Sequence, residues 1–145
     1  MGAAALVEAL AQMEAGTLPE TDQDHERATY APKLDRKTAR LDWTRSAAEL
    51  DRWIRGCDPW PAAWTTLNGD PVQLFSPVVP ERSGGEDAAS AAPGTVVRAD
   101  PRRGLRVATG DGPLEIGEVK PAGSSRMDAA AWIAGRGVAA GDRFV

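Results

Sequence analysis

Apolar positions recur at helical spacing in two places and alternate with polar ones in several others. Leu6, Val7, Leu10 and Met13 fall on one stripe of residues 2–15, and Gly16 follows as a stop, so this segment reads as a helix. Nothing adjacent in the sequence covers that stripe. Thr17 to Arg27 is polar and acidic, contains Pro19 and reads as an extended connector. A second stripe, Leu50, Trp53, Ile54 and Cys57, predicts a helix over 47–55. Ser46 and Glu49 form its capping box, and Gly56 is its expected stop. Asp51, Arg52 and Arg55 lie off the stripe and are expected to face solvent.

Beyond Pro61 the period shortens. Ala63 to Leu67 precedes Asn68-Gly69-Asp70, a strong hairpin signal. Val72, Leu74, Ser76 and Val78 then alternate with Gln73, Phe75 and Pro77 in the returning strand. Residues 80–93 are rich in Gly, Ser, Ala and charge and are expected to form a mobile loop. Thr95 to Ala99 resumes the sheet. Leu105, Val107 and Thr109 match Leu114 and Ile116 across Gly110-Asp111-Gly112, and a bulge is expected at Gly117, where the alternation breaks. A last short helix begins at Asp128 and ends near Gly135, with Met127 and Trp132 spaced for a hydrophobic staple. About five short strands with small helices predict a mainly β, partly closed barrel. Periodicity does not say which kind of small barrel it is.

With 145 residues the chain is long enough for one domain with a single core. No apolar run approaches membrane-spanning length, and no signal peptide is evident. Cys57 is the only cysteine, which excludes an internal disulfide or a cysteine zinc cluster and points to a reduced, cytoplasmic setting. The net charge is −4, but it is unevenly spread: residues 1–26 carry six acids and no Lys or Arg, whereas residues 27–56 carry eight bases against four acids. Attraction to phosphate follows the local field, so an acidic chain can still carry a basic strip for nucleic acid.

Catalytic candidates are lacking. His25, the only histidine, lies between Asp24 and Glu26 and reads as an exposed loop residue; Asn68, the only asparagine, belongs to a turn. One His and one Cys far apart make no metal site, and Asp111 lacks the companion ligands of a calcium loop. The positive candidates are cations. Lys33, Arg36, Lys37, Arg40 and Arg45 cluster where the connector enters the strands. Arg98, Arg102, Arg103 and Arg106 surround a turn, and Lys120, Arg126, Arg136 and Arg143 are sparser. By charge alone, a solvated face with local ion pairs is the simpler account.

Five motifs occur in order: Ala28-Thr29-Tyr30-Ala31-Pro32-Lys33-Leu34, Leu41-Asp42-Trp43, Asp58-Pro59-Trp60-Pro61-Ala62-Ala63-Trp64, Pro93-Gly94-Thr95-Val96 and Lys120-Pro121-Ala122-Gly123. Together they resemble the C-terminal domain of methionyl-tRNA formyltransferase, over nearly the whole chain. The resemblance implies an OB-like β-barrel with short α-helices over residues 28–145. An N-terminal helix and extended linker, residues 1–27, then belong to a catalytic domain absent from this chain. It implies no catalytic residue here, since the family's Asn, His and Asp and its His-x-Ser-x-Leu-Pro signature lie in that other domain. It likewise implies no cofactor in this chain: 10-formyltetrahydrofolate is the donor of the complete enzyme.

The implied partners are initiator tRNA and the formyltransferase catalytic domain, in cis or in trans, with no membrane. In the family the linker and one barrel face bind that tRNA. Lys33, Arg36, Lys37, Arg40, Arg103 and Arg126 are therefore the candidate RNA-binding residues. Lys33 matches the basic residue of the Tyr-Ala-Pro-Lys connector, and Arg126 the Arg of a Gly-Lys-Lys-Arg-Met pattern. Here that pattern reads Gly123-Ser124-Ser125-Arg126-Met127, so two lysines have become serine and two phosphate contacts are weakened.

Trp53 and Trp132 fall on apolar helix faces and Trp60 sits between prolines, so core packing is expected for all three. Trp43, Trp64 and Phe75 stand by no basic strand that would make a stacking platform, so recognition of tRNA backbone and shape is expected rather than base stacking. Two other readings stay open. One is a protein-interaction module of another formyltransferase-type enzyme, docking a partner through Leu6, Leu10 and Met13. The other is a truncated remnant.

Overall fold

A computed structural model describes residues 2–80 and 91–145, so most of the loop expected over 80–93 falls outside the described residues. The chain divides into two units, one ending at Pro32 and one spanning Lys33–Val145. In the first, helix α1 covers Gly2–Glu14. Gly16 takes φ +67°. The Thr17 N–H reaches the Gln12 carbonyl and the Gly16 N–H that of Met13, the paired bonds of a Schellman ending. Leu6, Val7, Leu10 and Met13 are all more than half exposed. The connector holds one 3-10 turn, His25–Arg27, capped by Asp24.

The second unit begins its regular structure with α2, Ala47–Cys57, where the Ser46–Glu49 capping box forms and Ala47, Leu50, Ile54 and Cys57 are buried. The helix outruns its expected end. Gly56 stays helical, and the chain leaves at Asp58, extended ahead of Pro59. Asp111 supplies a further cap from far along the chain, its Oδ1 accepting from the Ala47 N–H at 2.7 Å.

The strands are β1 (Trp64–Leu67), β2 (Asp70–Val78), β3 (Val96–Asp100), β4 (Gly104–Ala108), β5 (Pro113–Pro121) and β6 (Met127–Asp128). They pair in the order β1-β2-β5-β4-β3, with β6 also on β5, and every pairing is antiparallel. Asn68 and Gly69 join β1 to β2 with φ of 53° and 93°, the two positive values a two-residue type I′ turn requires.

No residue is inserted at Gly117, because Phe75 pairs with Glu118 and Pro77 with Ile116 on either side of it. Both strands instead change face together there, and Ser76 takes φ +50°. The register shift lies at Val96–Arg98. Residues 143–145 connect the two ends of the sheet. Arg143 bridges to Thr95 and Phe144 to Leu67, while Thr66 and Val145 exchange both backbone hydrogen bonds at 3.0 Å. The sheet so curved and closed is a small OB-like barrel.

Its core joins Leu50 and Ile54 of α2 to Leu74, Leu105, Val107, Leu114 and Val119 of the sheet. Helix α3, Ala129–Ala134, adds Trp132 and Ile133. Phe144 stacks with both Trp43 and Trp132, at 5.7 and 6.5 Å between ring centroids. Trp53 packs against this core only in part. Trp60 departs from the expected core packing and is 65% exposed. The proline-rich turn buries Pro61, Ala62 and Ala63 and leaves the indole outside.

Candidate functional site

Residues 35–41 bring the first cations onto the barrel. Asp35 Oδ1 accepts from both the N–H and the hydroxyl of Thr38 at 2.7 Å, closing a turn that leaves Arg36 and Lys37 exposed. Those bonds, the Thr38 N–H first, hold the Asp35 carboxyl below its ordinary range. The chain then joins the free edge of β1 in parallel: Leu41 donates to the Trp64 carbonyl at 2.8 Å and Trp64 to the Ala39 carbonyl at 3.1 Å. Ala39 and Leu41 are buried, and Arg40 between them faces outward.

Trp64 ties these cations together. Its indole Nε1 donates to the Arg36 carbonyl oxygen at 2.6 Å. The guanidinium carbons of Arg36 and Arg40 lie 5.4 and 5.5 Å from its ring centroid, within cation–π range. Trp64 pairs with Gln73, and Gln73 with Lys120, so the three share the outer face of the sheet. Arg36, Gln73 and Lys120 line one cleft of about 170 Å³ with Pro71 and Pro121. Among the described residues, Lys33, Arg36, Lys37, Arg40 and Lys120 have no carboxylate within ion-pair distance. The expectation that no aromatic residue stands beside a basic segment is thus corrected. Trp64 does, across 28 positions of sequence.

Arg126 lies along the same sheet face but in another arrangement. Phe75 pairs with Glu118, and the Arg126 guanidinium carbon stands 3.9 Å from the Phe75 ring centroid. Asp58 at 3.0 Å and Glu118 at 2.6 Å take up its charge. The Arg126 bond, then that of Ser76, holds the Glu118 carboxyl below its ordinary range. Arg126 thereby fastens the end of α2 to β5 and does not line the Arg36–Lys120 cleft. Nor does Arg103, which sits in the β3–β4 turn with its N–H on Asp100 Oδ1 at 2.8 Å. A larger groove, about 620 Å³, is lined mostly by apolar residues, with Arg40, Arg143 and the carboxylate of Asp42 among them.

Arg98 and Arg106 converge on Glu115. Burial alone pushes the Glu115 carboxyl up, but the hydrogen bonds from Arg106 and Arg98 outweigh it and bring it below the ordinary 4.5. A folded-state value below the unfolded one adds stability that is present above pH 4.5 and lost as pH falls through the folded value. Glu115→Gln is expected to cost about 1–2 kcal/mol at pH 7, the partly exposed setting keeping it modest. It should also flatten the fall in melting temperature below pH 4.5. A variant melting as the native chain does at both pH values would remove this role.

Among the described residues, no three His, Cys, Asp or Glu side chains gather as a metal site, and no helix is long and apolar enough to cross a membrane. The family described as formyl transferase, C-terminal domain, matches residues 33–137. A methionyl-tRNA formyltransferase from Thiobacillus denitrificans is 45% identical over 143 residues, which is 99% of this chain and 44% of that protein. The chain therefore spans less than half of that relative's length. Among solved structures, HypX from Aquifex aeolicus superposes with a TM-score of 0.58 at 23% identity, covering 93% of this chain and 23% of HypX. HypX in complex with tetrahydrofolic acid gives 0.56 at 23% identity, covering 87% and 21%. At that identity HypX speaks for the fold alone. With a methionyl-tRNA formyltransferase among its homologues, the chain belongs to the formyl transferase C-terminal domain family.

Proposed function

We propose that this domain binds initiator tRNA and presents it for N-formylation of its methionine, in translation initiation in the cytoplasm. The reaction itself belongs to a formyltransferase catalytic domain, joined in cis or in trans, which uses 10-formyltetrahydrofolate as donor. The name of the Thiobacillus relative supplies methionyl-tRNA as the substrate. The observation that carries the reading is the set of cations around Trp64: Arg36, Arg40 and Lys120 face outward on one surface without carboxylate partners among the described residues. Lys33 and Lys37 extend it along the approaching segment. Such side chains neutralise phosphates and release counterions, which gives register and affinity without reading bases. Binding of this kind assists catalysis by positioning the reacting end.

Filter binding of initiator tRNA over a range of salt tests this. Three to five neutralised phosphates predict a slope of log K against log salt of about −2 to −4.5, and Lys33→Glu should make it shallower. Salt-independent affinity, or none, refutes the reading. The rival reading, a protein-interaction module, draws on the exposed Leu6, Val7, Leu10 and Met13 of α1. Its signature is co-purification with a formyltransferase catalytic domain and no affinity for tRNA.

A further inference from the structure

We infer that Trp64 is a positioning residue that holds Arg36 and Arg40 as a preformed pair of cations, and that the cleft bordered by Arg36 and Lys120, beside that pair, receives a single RNA phosphodiester. The inference rests on the tRNA-binding reading and adds to it a specific subsite and the residue that shapes it.

Trp64 is well suited to that part because it cannot easily move. Its backbone N–H and carbonyl are both bonded to the Ala39–Leu41 segment, and it stands opposite Gln73 of β2. Its indole N–H then fixes the main chain of Arg36 at 2.6 Å, so the ring holds the approaching segment as well as its side chain. Two guanidinium groups within 5.5 Å of one ring centroid would repel and splay on their own flexible stems. The electron-rich ring offsets that repulsion and limits their rotamers before any ligand arrives. An anion in the adjoining cleft completes the arrangement, since guanidinium donors match phosphate oxygens geometrically.

Lys120 adds a point charge from β5, and Gln73 a neutral amide between them. The cleft's volume, about 170 Å³, is several times the roughly 30 Å³ of a water molecule, enough for a phosphate and part of its hydration. The ring already carries two guanidinium groups, so the subsite takes backbone and leaves bases unread.

The test is a double-mutant cycle on the full chain, measured as initiator tRNA affinity at about 0.15 M salt, with circular dichroism confirming that each variant is folded. Removing both arginines as Arg36→Ala/Arg40→Ala deletes the guanidinium fork on that phosphate and the charge beside it, about 30-fold in affinity. Trp64→Leu removes no charge yet should weaken binding about 10-fold. In the Trp64→Leu background the arginine pair should be worth only about 3-fold, because unpositioned cations contribute less. Trp64→Phe keeps an aromatic face and should recover part of the loss, which also covers the case in which Trp64→Leu does not fold.

Additive costs, or Trp64→Phe and Trp64→Leu variants that bind as the native chain does while the arginine variant is weakened, overturn the positioning role and leave tRNA binding standing. An arginine variant that binds tRNA as the native chain does overturns the subsite, and native-chain binding indifferent to salt overturns the tRNA reading itself.

Discussion

Replacing Phe144 with alanine is expected to lower folding stability by about 3–5 kcal/mol. Phe144 is 1% exposed, and its ring stacks with Trp43 and with Trp132, so truncation leaves a cavity walled by two large rings that cannot collapse onto it. Its backbone contributes as well, through the N–H to the Gly94 carbonyl at 2.9 Å. The adjacent Val145 carbonyl takes up the Thr66 N–H and the hydroxyls of Thr65 and Thr66, and Thr65 in turn accepts from the Trp43 indole. Losing the ring therefore loosens the edge of β1 that carries Trp64. Urea unfolding followed by tryptophan fluorescence reads the loss. A change below about 1 kcal/mol would mean that residues 143–145 are not part of the core's cooperative unit.

Gly110→Ala should cost about 2–4 kcal/mol, combining overpacking with a lost helix cap. The reason is proximity, not backbone conformation. A Cβ on Gly110 would stand 2.0 Å from the Thr44 carbonyl oxygen and 2.8 Å from its carbon. The loop would have to withdraw from the start of α2. The bonds from the Gly110 N–H to the Arg45 carbonyl at 2.8 Å and from the Ala47 N–H to Asp111 at 2.7 Å go with it. Gly56→Ala is the matched control, helical and with nothing within 4 Å of its new methyl group, and should be neutral or stabilising by up to about 1 kcal/mol. Equal midpoints for the two variants would show that the loop does not hold the helix.

These residues also mark how far a linear reading reaches. Gly110 reads from sequence as a turn glycine, whereas its tightest constraint is a carbonyl far away in the chain. Asp111 reads as part of the same turn, yet it caps α2. The cations divide in the same manner. Arg36, beside Lys37, and Arg126, after two serines, are both offered by the sequence as cations for RNA. In the fold one lies over an indole beside an open cleft, and the other is held between Asp58 and Glu118. Lys120 gave no local reason to join the first group. Its place there comes from strand register, Gln73 standing between it and Trp64.

What the sequence determined unaided was everything carried by neighbours a few positions apart. The Ser46–Glu49 capping box, the Asn68-Gly69 turn, the Schellman glycine after α1 and the alternation of β4 are all of that kind, and the five ordered motifs added the family. Their energies depend on local dihedrals and short loops, so they survive without knowledge of the fold. The expected alternation of β2 holds only as far as Leu74, beyond which Phe75 and Pro77 are buried and Ser76 and Val78 exposed. Only the tertiary structure decided which charges are available and which are neutralised, which tryptophan is buried and which organises cations, and what closes the barrel. Each of these depends on a partner brought close by folding: Arg126 meets Asp58 across 68 positions, and Thr65 meets Val145 across 80. An ion pair or a ring contact acts over only about 4–6 Å, a distance that chain order over such spans leaves undefined.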